Sequence, residues 1–528
     1  MTTAEPIAAP VRTHRLGARV RAAALAPYRH RGALTGFLYP LEFPIVLIVW
    51  FAFEVGVSPY AMARTTIIAL CVVTALLSLL YVLLRDAHRA GIAMMLIYLL
   101  IGSGTSPIVF VTFILATAIV VLVDRLHMRR ISWAKISGGL STFMSILLVI
   151  TFVQAGLDGR LERALGELRQ GGGLSATVSN DQMDPSKPDI YVIILDGYPR
   201  PDTLKSSFGV DDGPFVDELT NRGFDVAANS HSNYPGTAFT FATMLNMAYL
   251  DDIPQIAGPH AGDPGWSGAY LDAINQNRVF DLLRGQGYQI VATGSGWEQL
   301  AIREADVYLD GGQLNTYEAV MLSVSGLSAI IQRIAPNWGG DQARSRIDGD
   351  FEELRRVAET PSNQPRLVIS HVLAPHPPLV YGPNGEALPL DLEHEFSLDY
   401  AGSPTNPELR AEYAGQVTYV NRQVLPTVDE ILSSARRPTV VVLMSDHGSR
   451  LITTADSTQP SPESDRNFFA TLTPGHQGLF GASPTPVNLF PHLLDTYLGL
   501  NVPILADRSY LITRTDPQEF TPLPSDTP

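Results

Sequence analysis

The apolar residues of this chain are not spread evenly along it. Between residues 35 and 157 they form nearly uninterrupted runs, while the acids that bring the net charge to −15 lie mostly downstream. A slightly positive mean hydropathy beside so negative a charge calls for two solvents: an apolar N-terminal region folding in lipid, and an acidic domain folding in water. One hydrophobic core shared by all 528 residues is excluded.

Apolar spans are expected at 35–57, 65–84, 90–101, 106–123 and 138–157, most of them near the length that crosses about 30 Å of hydrocarbon. The third is short, and the break Gly102-Ser103-Gly104-Thr105-Ser106-Pro107 reads as a tight turn between two helices. Arg85, Arg89, Arg125, Arg129, Arg130 and Lys135 follow the second and fourth spans; the loops after the first and third hold only Arg64, at a margin. Five spans with the N-terminus in the cytoplasm put every basic loop inside and the large domain outside, whereas four would leave that domain in the cytoplasm. Residues 1–31 carry Arg12, Arg15, Arg19, Arg21, Arg29 and Arg31 against Glu5, and read as a cytoplasmic basic arm rather than a signal peptide. The lone cysteine, Cys71, lies in an apolar run and forms neither an intramolecular disulfide nor a thiolate metal cluster. Past the last span, within 158–186, Leu161, Leu165 and Leu168 continue a face begun by Leu157 and oppose Arg160, Glu162, Arg163, Glu167 and Arg169, as in a helix lying on the outer membrane surface. Gly171-Gly172-Gly173 then opens a flexible linker.

From residue 187 onward, strand-like runs (189–195, 223–227, 288–293, 366–372, 439–445, 467–472) alternate with helical patterns (213–222, 237–247, 279–286, 351–359, 407–434, 486–498). This alternation predicts an α/β domain over 187–512, with a mostly parallel central sheet flanked by helices. The Pro-, Asp- and Thr-rich residues 513–528 are expected to be a disordered tail.

Two strands end in potential ligands. KPDIYVIILDGYP delivers Asp196 at a strand's carboxyl end, where open α/β sheets bind ligands and where a buried acid needs a partner. PTVVVLMS runs into Asp446-His447-Gly448. Two carboxylates and an imidazole suit one divalent ion, Zn²⁺ or Mn²⁺ with Mg²⁺ as a third option. Either dipeptide alone is more simply a turn; both at the ends of apolar strands in one domain favour a site. A third motif, Asn233-Tyr234-Pro235-Gly236-Thr237, precedes a helical pattern. Thr237 is there either a nucleophile beside a helix dipole or a plain N-cap, with Ser232 and Thr240 as lesser candidates. In SHVLAPHPPLVYG, prolines hold His376 out of regular structure as a site residue, while His371 is equally a substrate contact or a satisfied strand histidine. His476 is weakly placed. Trp297 and Arg303, in GSGWEQLAIREADVYL, are either headgroup or glycan contacts or surface packing.

LDGY, NYPGT, HVLAPHPP, SDHG, PVNLFPHLLDTYLGL and PILADRSY follow one another over 189–511. Together they resemble the alkaline phosphatase superfamily, in the membrane-anchored sulfatase-like branch that includes lipoteichoic acid synthase and the phosphoethanolamine transferases. The resemblance implies one metal bound by Asp196, Thr237, Asp446 and His447, with Thr237 as nucleophile and His376 at the substrate phosphate or leaving group. It also departs from the pattern. Asp196 stands where those transferases usually have Glu. Val372 occupies the place of an Asp that two-metal members carry, and a Cys/Ser-x-Pro-x-Arg motif for formylglycine is missing.

The expected activity is transfer of a phospho-headgroup, of phosphoglycerol or phosphoethanolamine type, from a membrane phospholipid to an extracytoplasmic glycan or lipid through phospho-Thr237. The alternatives are a metal-dependent phosphodiesterase, phosphatase or sulfatase-like hydrolase, and an inactive membrane-anchored binding protein. The acidic balance without a basic stripe argues against a nucleic-acid substrate. A transporter is disfavoured because acids are scarce within the spans, Glu54 being the nearest exception.

Overall fold

The computed structural model describes residues 37–50, 59–102, 132–157, 186–257, 266–309, 314–324, 327–390, 407–449, 451, 465–513 and 516–523. Its N-terminal region holds α1 (Phe37–Trp50), α2 (Pro59–Leu84), α3 (Ala87–Gly102) and α4 (Trp133–Leu157). Such largely apolar runs favour helix, because a helix satisfies its own backbone without water. Among the described residues, Met62–Leu84 and Trp133–Gln154 are long and apolar enough to cross a membrane. Two hydrogen bonds join these helices: the Ser145 hydroxyl donates to Glu42 Oε1 (2.8 Å) and the Tyr98 hydroxyl to the Pro40 carbonyl (2.8 Å). Glu42 corrects the sequence reading, which passed over a carboxylate inside the first expected span. The basic arm 1–31, Glu54, the expected span 106–123 and the surface helix and linker over 158–185 lie outside the described residues.

The C-terminal region is an α/β domain. In chain order it contains β1 (Asp189–Leu195), α5 (Gly213–Asn221), β2 (Asp225–Val226), α6 (Thr237–Asn246), α7 (Trp266–Asn275), α8 (Arg278–Gly285), β3 (Gln289–Thr293), β4 (Val307–Leu309), α9 (Thr316–Val324), α10 (Leu327–Ile334) and α11 (Trp338–Glu359). There follow β5 (Arg366–Val372), α12 (Pro407–Ser433), β6 (Thr439–Met444), β7 (Phe469–Leu472), α13 (Leu489–Leu498), β8 (Tyr510–Thr513) and β9 (Asp516–Pro522). Seven strands form one sheet in the order β2-β7-β6-β1-β5-β3-β4. The pairs β6/β1, β1/β5, β5/β3 and β3/β4 are parallel, and β7 is antiparallel to both β6 and β2.

The central strands explain the apolar runs. Every residue of β1, β5 and β6 is buried, as expected for parallel strands covered on both faces. Alternation sorts them into two cores. Ile190, Val192 and Ile194 pack with Phe241, Phe280 and Phe490 on one face; Tyr191, Ile193 and Leu195 pack with Phe351, Leu354 and Val420 on the other.

Several elements differ from expectation. β4 is only three residues long, too short to show a period. α11 starts at Trp338 rather than near 351, its first turns disguised by Gly339-Gly340 and by charged residues interleaved with inward-facing Ala343 and Ile347. Residues 516–522, expected to be disordered, form β9 against β8. β8 is itself anchored, since the Tyr510 N–H donates to the Asn233 carbonyl (3.0 Å) and the Tyr510 ring stacks on Tyr234 at 5.0 Å. An anchored edge strand recruits a partner even from a polar sequence.

Candidate active site

β5, β1 and β6 lie side by side and end at one edge of the sheet. Asp196 follows β1, its N–H donating to the Val372 carbonyl at the end of β5 (3.0 Å). Gly197 then takes a left-handed turn (φ +68°), open to glycine because it lacks a Cβ. Its N–H donates to Asp446 Oδ1 (3.1 Å) and its carbonyl accepts from the Tyr413 hydroxyl (2.7 Å). Asp446 and His447 follow β6, with the Ser445 hydroxyl accepting from the Tyr198 N–H (2.8 Å) beneath them.

Asp196 and Asp446 are fully buried and His447 is 1% exposed. His447 Nε2 lies 3.7 Å from Asp196 Oδ1 and 3.3 Å from Asp446 Oδ2, and none of these three atoms has a hydrogen-bond partner. The His447 Nδ1–H donates to the Gly448 carbonyl (2.6 Å), which leaves Nε2 with a lone pair. Three buried, unpaired acceptors aimed at one another are costly alone and complementary to a cation. The donor set thus fits a divalent metal.

His371, in β5 opposite Ile194, donates from Nε2 to Asp196 Oδ2 (3.1 Å) and meets the Phe241 ring edge-on at 5.2 Å. Ligand atoms of Asp196, His371 and Asp446 also fall within 4.8 Å of one another. Because His371 Nε2 already serves Asp196, its part here is to aim that carboxylate. Burial pushes Asp196 up, but His376, His371 and His447 outweigh it and hold the carboxyl well below its usual range.

α6 begins on Thr237, but its N-cap is Gly236, in extended backbone, and no side chain caps it. The N-cap role left open for Thr237 is therefore taken by Gly236. The Thr240 hydroxyl donates to the Asp446 carbonyl (2.9 Å), and Phe241 touches His371. Residues 237, 240 and 241 share one helical face, so the first turn of α6, with its positive dipole end, is turned toward Asp446 and His371. Ser232 is buried with its hydroxyl unpaired. The loop between is held from far along the chain: Asn233 Oδ1 accepts from the Val487 N–H (2.9 Å), its Nδ2 donates to the Arg508 carbonyl (2.9 Å), and the Ser509 hydroxyl donates to the Ser232 carbonyl (2.8 Å).

The His376 N–H donates to the Asp196 carbonyl (2.9 Å) and its Nδ1–H to the Pro377 carbonyl (2.5 Å). A Cβ placed on Gly197 would meet both His376 and His447 at 3.8 Å, so the two histidines flank that turn. Trp297 packs edge-to-face with His376 at 5.8 Å. Arg303 is engaged elsewhere, paired with buried Glu298 (2.8 Å) and lying 4.4 Å over the Tyr308 ring. His476 is exposed and faces Tyr497.

Sequence reasoning missed Tyr413 and Gln416, one helical turn apart in α12. Tyr413 holds the Gly197 turn, and fully buried Gln416 donates from Nε2 to the carbonyls of Pro375, His376 and Pro378 (3.3, 3.2 and 3.2 Å). The available signal was a Gln within the inward stripe Tyr413, Val417, Val420 and Val424, where an amide must find partners.

Fold and site together define an α/β enzyme with a divalent-cation centre at the carboxyl edge of its sheet. A family model described as Sulfatase matches residues 188–475. The chain belongs to the sulfatase family, within the alkaline phosphatase superfamily, and is a sulfatase-like enzyme. Among solved structures it is similar to the zinc complex of the C-terminal periplasmic domain of EptC from Escherichia coli (14% identity, covering 64% of this chain and 92% of that one, TM-score 0.40). It is also similar to the integral membrane protein lipooligosaccharide phosphoethanolamine transferase A from Neisseria meningitidis (12% identity, 73% and 67% covered, TM-score 0.40). A third is the periplasmic domain of phosphoethanolamine transferase EptC from Campylobacter jejuni (14% identity, 59% and 89% covered, TM-score 0.36). No curated protein matches the chain.

Proposed function

We propose that the chain is a membrane-anchored transferase that moves a phospho-headgroup, of phosphoglycerol or phosphoethanolamine type, from a phospholipid to an extracytoplasmic glycan or lipid. The observation that carries this reading is the convergence of Asp196 Oδ1, Asp446 Oδ2 and His447 Nε2, buried and unpaired, beside a helix that starts on Thr237. Asp196, Asp446, His447 and Thr237 would hold one divalent ion, Zn²⁺ or Mn²⁺ with Mg²⁺ as the harder option, which supplies Lewis-acid charge neutralisation. The Thr237 hydroxyl oxygen attacks phosphorus as its proton passes to His376 Nε2, the phosphorus–oxygen bond to the diacylglycerol breaks, and His376 hands that proton to the leaving oxygen. The acceptor hydroxyl then attacks phospho-Thr237, its proton passes through His376 to the departing Thr237 oxygen as that phosphorus–oxygen bond breaks, and the threonine is regenerated. The N-terminal dipole of α6 favours the charge that develops on the phosphoryl oxygens, and Trp297 borders the space beside His376. Five spans with the N-terminus inside the inner membrane would set this domain on the outer side, next to its lipid donor.

A second reading, favoured by membership of the sulfatase family, is a phosphodiesterase, phosphatase or sulfatase-like hydrolase in which water replaces the acceptor. Intact-mass spectrometry of the full chain, incubated with Mn²⁺ or Zn²⁺ and a panel of phospholipids, separates the two. A mass added at Thr237 and discharged only by an acceptor supports transfer; discharge by water alone supports hydrolysis. Thr237→Ala with full turnover would sink both, since each needs the threonine.

A further inference from the structure

At the opposite end of the same three strands sits a second cluster of charge. Asp189 opens β1, Arg366 opens β5 and Arg437 lies just before β6. Arg366 is 7% exposed and the Arg437 side chain 4%, and a guanidinium keeps its proton at every ordinary pH. One carboxylate lies near both: Asp189 Oδ1 accepts from the Arg366 backbone N–H (2.8 Å) and lies 3.6 Å from Arg437 Nε, and the charges of both arginines act on it. Carbonyls take further donors, with Arg366 Nη1 reaching Val357 and Thr360 (2.8 and 3.0 Å) and Arg437 Nη2 reaching Ser362 and Asn363 (3.5 and 3.4 Å). Two donors remain. Arg366 Nε and Arg437 Nη1 are buried and hydrogen-bonded to nothing.

Both arginines line one cavity of ≈ 10 Å³, with Asp189, Tyr191 and Thr439 in its wall, room for about one water-sized occupant. Neighbouring hydroxyls are engaged: Thr439 donates to the Arg437 carbonyl (3.0 Å) and Ser434 to Glu430 (2.7 Å). Two cations against one anion leave a buried positive charge, and carbonyl dipoles accept hydrogen bonds without cancelling it. Water would satisfy the donors and leave the charge. Sulfate and phosphate are too large for the space.

We propose that this cavity binds one small monovalent anion of the halide class, held between Arg366 and Arg437 at the amino edge of the sheet. Such an ion ties together the starts of β1, β5 and β6, whose far ends carry Asp196, His371 and Asp446. The test uses the full chain in detergent, with gluconate replaced by chloride or bromide at constant ionic strength. Thermal unfolding should shift upward with halide and saturate, as for any ligand of the folded state, and Arg437→Gln should raise the half-effect concentration at least tenfold. In crystals of the unsubstituted protein grown with bromide, an anomalous peak should lie between the two guanidinium groups, a readout that does not depend on the variant folding. Water density alone in that cavity, or a halide effect unchanged in Arg437→Gln, overturns the proposal.

Discussion

Replacing Gln416 with Leu removes a side chain that five backbone groups depend on. Its Oε1 accepts from the N–H groups of Val380 and Tyr381 (2.8 and 3.3 Å), and its Nε2 serves three carbonyls of the segment bearing His376. Leucine fills similar volume and offers no polar atom, so both N–H groups lose their partner inside the protein. Each buried orphan costs about 1–3 kcal/mol, and carbonyls tolerate the loss better. The segment should therefore open more easily by about 2–6 kcal/mol, or between about 30-fold and about 10⁴-fold at about 1.4 kcal/mol per decade. Hydrogen–deuterium exchange of a peptide covering 375–382 reads this, because three of its residues are prolines and Val380 and Tyr381 supply two of its hydrogen-bonded amides, the others being His376 and Gly382. Gln416→Glu keeps the acceptor and should retain much of that protection. Exchange within about threefold of the parent in the leucine variant would refute the assignment of Gln416 as the clasp of this loop.

Other outcomes follow from the same geometry. Asp446→Asn should lower bound metal, measured by elemental analysis after dialysis, to a small fraction of the parent's; Thr237→Ala should retain metal while losing turnover, and the reverse pattern would count against the ligand set. Tyr413→Phe deletes the bond to the Gly197 carbonyl and should cost about 1 kcal/mol of stability with a severalfold loss of metal affinity in titration calorimetry; an unchanged affinity would detach Tyr413 from the site. Burial lifts Asp212 to about 6, against hydrogen bonds from Tyr198 and Asn421. Because this folded-state value exceeds the ordinary 3.8, the folded chain holds a proton that the unfolded chain releases. That stabilisation is complete below about pH 4 and is lost as pH rises through about 6, amounting to about 3 kcal/mol. Asp212→Asn should flatten the fall in melting temperature between pH 4.5 and 7, and an equally steep fall would show that another group is responsible.

Much of the fold was legible because burial on both faces writes itself into composition. β1 and β6 are apolar at nearly every position and run into chemically distinctive residues, so strand and ligand announce each other. What escaped obeys a different logic. β4 has three residues and no period. α11 is amphipathic, yet its inward stripe includes Arg346 and Asp350, buried polar residues that interrupt an apolar pattern. β9 is polar and owes its order to a neighbour anchored on Asn233, a contact no local window contains. In the site, Asp196, Asp446 and His447 were visible from their position after strands. The support given by Gln416 and Tyr413 was not, since it depends on which face of a long helix meets which loop. His371 carried an ambiguity that only register could lift: pairing opposite Ile194 sets its Nε2 on Asp196.

The loop that presents Thr237 is fastened by residues 254, 275 and 277 positions further along the chain. Synthesis proceeds from the N-terminus, so β1 and Asp196 exist long before Val487, Arg508 and Ser509 have been made. Until those residues arrive, the approach to Thr237 lacks its fasteners, and Asp196 lacks Asp446 and His447 as well. The site is thus completed late in the chain's synthesis, after Asp446, His447 and the residues that fasten this loop have been made.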